Sequence, residues 1–250
     1  MAIQDKLSVQ SYCFRNFSDN RQVAGMVKEI GLSGIELFRL HGRFDDPNAK
    51  DAVMQAYADS GVSIVSTGVN ALSGGKDERR LFEFLKTAGA AHMSVDFALE
   101  GLDDALKSAQ ALAEEFDVKL GIHIHGGNHW CSNSEALEYI FKRAGNRIGL
   151  NMDTAWAIDS KEDPVKMAET FKDRLFSLHL KDVVYNKTRT PEDVIVGSGN
   201  LDLSALGKVL KDNGFDGEMI VEYEGEAEAP VPPLKKCVSA IVETLEGVGL

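Results

Sequence analysis

What most constrains this chain is an alternation that runs its whole length. Eight short β-rich runs are each followed by a stretch with helical spacing. The runs are KLSVQSY (6–12), GIELF (34–38), VSIVSTG (62–68), HMSVDF (92–97), KLGIHIH (119–125), IGLNMD (148–153), LFSLHLK (175–181) and EMIVEYE (218–224). Short apolar runs of this kind suit strands buried on both faces of a parallel sheet. The intervening helical segments are QVAGMVKEIG, NAKDAVMQAYADSG, DERRLFEFLKTAGA, LDDALKSAQALAEEF, SEALEYIFKRAGN, DPVKMAETFKD, LSALGKVLKDNG and PPLKKCVSAIVETLEGVG. Gly31 and Gly61 stand where a helix end needs a left-handed residue, and several segments begin with Asp or Ser in cap position. No linker or shift in composition interrupts the series. Eight such units in 250 residues have the size and repeat of a (β/α)8 barrel, with residues 1–250 as one domain. An open, doubly wound sheet is the competing arrangement, but its dinucleotide fingerprint is missing. The loop after the first run reads CFRNFSDN, and no GxxxxGK[ST] occurs anywhere.

In a barrel, the residues that do chemistry gather where strands end. The fifth run ends in His123-Ile124-His125 and the sixth in Asp153, followed by Thr154, Ala155 and Trp156. The seventh carries His179 and Lys181, then Asp182; the eighth carries Glu222 and Glu224. Residues two apart on a strand share a face, so each pair projects to one side while Ile122, Ile124, Leu178, Leu180 and Val221 face the other. Taken singly, each has a bland reading: a hydrogen-bonded histidine, Asp153 as a helix cap, Lys181-Asp182 as a surface ion pair, the glutamates as a solvated strand end. A barrel brings all four strand ends to one mouth, and that weakens the bland readings. Mixed His, Asp and Glu ligands suit Mn²⁺, Mg²⁺, Co²⁺ or Zn²⁺ at an open catalytic site, since no thiolate stands beside them.

Composition removes several classes. Against 27 Lys and Arg stand 39 Asp and Glu, a formal charge of −12 that opposes binding to nucleic acid or an anionic membrane. No apolar run approaches a membrane span, and the N-terminal residues lack a signal-peptide core. Cys13, Cys131 and Cys237 are odd in number and widely spaced, which suits neither a disulfide framework nor a CxxC zinc site. A reducing, cytoplasmic location is the simplest expectation; association with further copies of the chain is left open.

The ordered series GIELF, SVDF, IHIHGGN, GLNMDTAW, SLHLKDV, VGSGNLDL and MIVEYEG resembles the xylose-isomerase-like superfamily of sugar-phosphate isomerases and epimerases, which includes inosose dehydratases and ketose 3-epimerases. The resemblance covers nearly the whole chain. It implies a metal-dependent TIM barrel that takes one ligand from each of its last four strands, in the order Glu, Asp, His, Glu. Carried over position by position, it implies Asp153, His179 and Glu222 as ligands. The fifth strand departs from the pattern: His123 occupies the place of the usual glutamate and His125 that of a following histidine. His123 is therefore the expected fourth ligand, with His125 the substitute if the register shifts by a pair.

In ketose 3-epimerases, the glutamates of strands 5 and 8 both move a proton, on opposite faces of the substrate carbon. Here Glu222 is the expected base, with His125 the second base unless the enzyme works with Glu222 alone, and Lys181 a donor to a substrate oxygen. Glu36 and Trp156 are expected substrate contacts, with a salt bridge and simple packing as their alternatives. Asp96 carries the same ambiguity as Glu36, and His129 belongs to the rim or the surface. Arg39, His41 and Arg43 lie in a loop read as solvated, and Gly197-Ser198-Gly199 is read as a flexible turn rather than an anion site. The expected activity is isomerisation or epimerisation of a small ketose or keto-sugar by proton removal beside a carbonyl. A lyase or dehydratase acting on an inosose or 3-keto-glycoside is the alternative. An endonuclease IV-like nuclease is disfavoured by the charge.

Overall fold

The computed structural model describes residues 2–46 and 48–250. Eight parallel strands close into a barrel: β1 (Leu7–Gln10), β2 (Gly34–Leu37), β3 (Ser63–Leu72), β4 (His92–Phe97), β5 (Lys119–His123), β6 (Ile148–Asp153), β7 (Leu175–Leu180) and, after an added hairpin, β10 (Glu218–Val221). The ring is closed by β1 pairing with β10, Leu7 opposite Met219 and Val9 opposite Val221. The hairpin β8 (Asp182–Tyr185) and β9 (Pro191–Val194) is antiparallel and grows directly out of β7. Its sequence, DVVYNKTRTPEDV, carries a weak alternation that the eight-run reading passes over.

The helices are α1 (Asn20–Ile30), α2 (Arg39–Gly42), α3 (Lys50–Ala58), α4 (Arg79–Ala88), α5 (Leu102–Phe116), α6 (Ser134–Phe141), α7 (Thr154–Asp159), α8 (Pro164–Thr170), α9 (Leu203–Asp212) and α10 (Val231–Gly247). Asp19, Asn133, Asp153, Asp163 and Asp202 accept backbone N–H bonds at five helix starts, the capping chemistry the sequence indicates. Gly31 ends α1 at φ +91°, in the left-handed region. Apolar residues such as Val9, Ile35, Ile122, Leu150 and Leu178 are fully enclosed in the core.

The barrel interior departs from the usual filling of branched aliphatic side chains. Polar groups meet across it. Ser177 of β7 bonds the His92 ring of β4 at 2.9 Å, Asn151 of β6 donates to Ser94 of β4 at 2.7 Å, and His179 of β7 meets Glu36 of β2 at 2.8 Å. None of these strand pairs are neighbours in the ring, so the bonds run through the barrel axis. Gly121 makes room for them: a Cβ there would lie 2.9 Å from the His92 ring and 2.9 Å from Asn151 Cβ. This polar layer, hydrogen-bonded except at Asn151 Oδ1, is the floor on which the mouth residues stand.

Candidate metal centre

Four of the expected residues converge at the C-terminal mouth. His123, Asp153, His179 and Glu222 each offer a ligand atom, all within 4.8 Å of one another, and all four side chains are buried. His123 closes β5, Asp153 closes β6, His179 lies in β7, and Glu222 follows β10 with its N–H bonded to the Leu180 carbonyl. His179 Nδ1 lies 2.6 Å from Glu222 Oε2 and 3.1 Å from His123 Nε2, and His123 Nε2 is 3.5 Å from Asp153 Oδ2. Asp153 does both things the sequence allows it. Its Oδ1 caps α7 by accepting from Trp156 N at 2.8 Å, while its Oδ2 is buried without a hydrogen-bond partner.

Glu36, expected as a substrate contact, is instead fully enclosed beneath His179. It accepts from Gln10 Nε2 at 2.6 Å, from the Ser66 hydroxyl at 2.5 Å, from the Ser94 hydroxyl at 2.6 Å, and pairs with His179 Nε2 at 2.8 Å. Burial would raise its pKa. The His179 imidazolium and the hydrogen bonds outweigh burial and bring it to about 2. For His179, burial favours the neutral ring, but Glu36 and Glu222 win and raise it to about 10. Glu222 is likewise lowered: burial opposes ionisation, and the Lys181 and His179 charges overcome it. The carboxylate behind the histidine fixes which ring nitrogen faces the cluster, as second partners of metal-bound histidines do.

The donor set fits a divalent cation. Two imidazole nitrogens and two carboxylates face one point, and Asp153 Oδ2 has no other partner among the described residues. Only a proton carried by His179 or a cation reconciles so many acceptors. Two His and two carboxylate ligands suit zinc or manganese rather than a closed structural site.

Above the cluster opens a cavity of about 380 Å³ lined by His123, His125, His179, Glu222, Glu224 and Trp156, with Tyr12, Phe38 and Asp96 among the other walls. A larger hollow of about 530 Å³ lies at the opposite end, around Ser8, Ser33, Ser63 and Glu218, and brings no comparable ligand group together. Trp156 is thus where a substrate contact was expected. Lys181 is not: only 2 % exposed, it lies behind the cavity wall. Its ammonium contacts Glu224, stands 3.9 Å from Glu222 Oε1 and 3.9 Å from Asp193 Oδ2, and is 5.1 Å from the centre of the Trp156 ring. Glu224, not Lys181, presents the pair to the cavity. Asp193, on the hairpin that the run pattern omits, also accepts from Glu224 N at 2.7 Å and so sets the direction of that glutamate.

His125 falls beyond the end of β5 and lines the cavity. Burial, then the neighbouring His123 and His129, hold its pKa down at about 3, so it is a neutral ring and a weak proton acceptor. His41, read as part of a solvated loop, is enclosed and its Nε2 bonds the Phe17 carbonyl at 2.8 Å; its neighbours Arg39 and Arg43 are exposed and paired with Asp45 and Asp46. The Gly197-Ser198-Gly199 turn is partly exposed but its backbone is not free. Asp182, enclosed rather than at the surface, accepts N–H bonds of 2.8–3.0 Å from Val183, Gly197, Gly199, Asn200 and Leu201.

Comparison with known proteins adds a lineage to this geometry. The sequence model of the xylose isomerase-like TIM barrel family matches residues 25–241. An inosose dehydratase from Clostridium perfringens is 27% identical over 153 residues, covering 56% of this chain and 51% of that enzyme. The chain thus aligns with about half the length of that curated relative. Among solved structures, the 3-keto-D-glucoside 4-epimerase YcjR of E. coli superposes with a TM-score of 0.72 at 17% identity, covering 94% of this chain and 98% of that one. The zinc-bound IolI protein gives 0.79 at 16% identity, covering 96% and 98%. No helix among the described residues is long and apolar enough to cross a membrane.

Proposed function

The chain belongs to the xylose isomerase-like TIM barrel family, and from that premise we propose that it is a divalent-metal-dependent isomerase or epimerase of a ketose or keto-sugar. The reaction begins with removal of a proton beside a carbonyl. The observation that carries this reading is the convergence of His123, Asp153, His179 and Glu222 at the floor of a cavity sized for a small sugar.

His123, Asp153, His179 and Glu222 would hold the cation. When bound, it supplies a positive centre that polarises the carbonyl and stabilises negative charge developing on its oxygen. Glu222 has a second oxygen, Oε1, not engaged by His179, and takes the proton. Glu36 keeps His179 oriented. Lys181 holds Glu222 and Glu224 in place from behind, and Glu224 exchanges a proton with a substrate hydroxyl. Trp156 offers an apolar wall to a sugar face. An epimerase also returns a proton on the other face, and His125 lines the wall where the β5 loop enters the cavity.

A second reading shares the first step and ends in loss of water or of an aglycone. The likeness to inosose dehydratases favours it, as does the Lys181–Glu224 pair, which can protonate a departing hydroxyl. The test is incubation of the metal-loaded protein with a panel of keto-sugars in D₂O, followed by NMR. Exchange with inversion supports the epimerase, and elimination supports the lyase. No exchange at any C–H beside a carbonyl across the panel refutes both.

A further inference from the structure

The geometry points to a second cation site, formed by Asp96, His125 and His129 on the rim of the same cavity, open towards the substrate and suited to zinc. One ligand atom from each of the three lies within 4.8 Å of the others. They share no residue with the first cluster. Two imidazoles and one carboxylate are a ligand set found at open catalytic zinc sites, where remaining positions take water or substrate. Asp96 and His125 both line the cavity, so those positions would face the sugar.

Two of the three side chains, Asp96 and His129, are held by the backbone. Asp96 Oδ1 accepts from Phe97 N at 2.8 Å, which leaves Oδ2 to point at His129 Nε2, 3.4 Å away. Ligand atoms around a tetrahedral zinc are spaced about 3.4 Å apart, given bonds of about 2.1 Å. His129 Nδ1 lies 3.3 Å from the Cys131 N–H, from which it accepts, and 3.5 Å from the Cys131 carbonyl, so the backbone of Cys131 holds one ring nitrogen and leaves Nε2 turned to Asp96. The His125 and His129 rings are 5.0 Å apart, and His125 Nδ1 is buried with no hydrogen-bond partner. A nitrogen left so costs about 1–3 kcal/mol, and a bond to a cation is one way to recover it.

The loop that carries the two histidines is built to face them. Gly127 turns the chain at φ +67°, and Gly126 is pressed on α7 so closely that a Cβ would lie 2.4 Å from the Trp156 ring and 2.5 Å from Asp159. Trp130 then pins the loop to the end of β4 by donating to the Phe97 carbonyl at 2.8 Å, next to Asp96. Nothing in the proposed reaction requires these contacts. A histidine that ligates this second ion is no longer a free base.

The test is zinc binding alone, by equilibrium dialysis of the chelator-stripped full chain against buffered free zinc, with no substrate present. Two ions per chain are expected. Asp96→Asn and His129→Gln should each remove one ion, weakening that site by more than about 100-fold, while His179→Ala removes the other. Circular dichroism of each variant checks that it is folded, and the two rim variants serve as independent probes. One ion in the wild type that His179→Ala removes and Asp96→Asn keeps overturns this proposal and leaves the first site standing. One ion that Asp96→Asn removes and His179→Ala keeps does the reverse. Two ions retained in both rim variants also overturns it.

Discussion

Replacing Glu36 by Gln isolates the charge behind the metal centre from the shape around it. The amide can keep its oxygen towards Gln10 and His179 and turn its NH₂ towards the Ser66 and Ser94 hydroxyls, which can rotate to accept. What disappears is the negative charge facing His179. Glu36 sits at about 2 in place of its ordinary 4.5, and at about 1.4 kcal/mol per pH unit that difference is worth about 3 kcal/mol. Because the folded-state value lies below the ordinary one, the contribution is fully present above pH 4.5 and is lost as pH falls towards 2. The metal-free E36Q variant should therefore be less stable than wild type by about 3 kcal/mol at pH 7, a drop in Tm of about 6–12 °C for a chain of this size, and the gap should narrow below pH 4. Its zinc affinity should fall by about 10–100-fold, because His179 loses its orienting partner. Calorimetry at pH 7 and below pH 4, with zinc titration alongside, checks both effects. A Tm within about 2 °C of wild type at pH 7 together with unchanged zinc affinity would refute the role assigned to Glu36.

Asp153→Asn and His179→Ala should lose zinc and D₂O exchange activity together; full metal occupancy in either variant breaks the ligand assignment. His92 is held at about 4, chiefly by burial, below its ordinary 6.5. The unfolded chain therefore takes up a proton that the folded one refuses, and stability falls as pH drops from 6.5 towards 4, by about 2 kcal/mol at pH 5. Urea midpoints at pH 7 and pH 5 should show this loss in wild type and a smaller one in His92→Gln. Asp182→Asn leaves two or three of its five N–H donors facing an amide NH₂. It should cost about 2–4 kcal/mol in urea unfolding, less than full burial would give because the turn is partly exposed.

The barrel was legible because its signal is repeated: eight runs and eight helical segments agree, and a cap such as Asp163 punctuates them. The cluster was legible for the same reason, since His123, Asp153, His179 and Glu222 are each chemically conspicuous at a strand end. What the sequence hid depends on where a strand stops. His125 and Lys181 lie just past the ends of β5 at His123 and β7 at Leu180: His125 still lines the cavity beside His123, whereas Lys181 is drawn behind the wall to Glu224. Glu36 was misplaced by height: enclosed and outside the cavity lining, it meets His179 from below rather than substrate from above. Gln10, Ser66, His92, Ser94, Asn151 and Ser177 form the polar floor. Their signal was present as polar residues at every second position of otherwise apolar runs, but its meaning lies in pairings across the barrel, which no local pattern records.

The enclosed Asp182 has a consequence for selectivity. Barrel enzymes that act on sugar phosphates commonly seat the phosphate among backbone N–H groups in the loops after the seventh and eighth strands. Here the donors of Gly197, Gly199, Asn200 and Leu201, in the stretch that follows β7 and its hairpin, already surround a carboxylate of the chain itself. The protein supplies its own tethered anion to N–H groups that could otherwise hold one from solution. An anion from solution would meet spent donors and like charge, so this turn is closed as an anion seat.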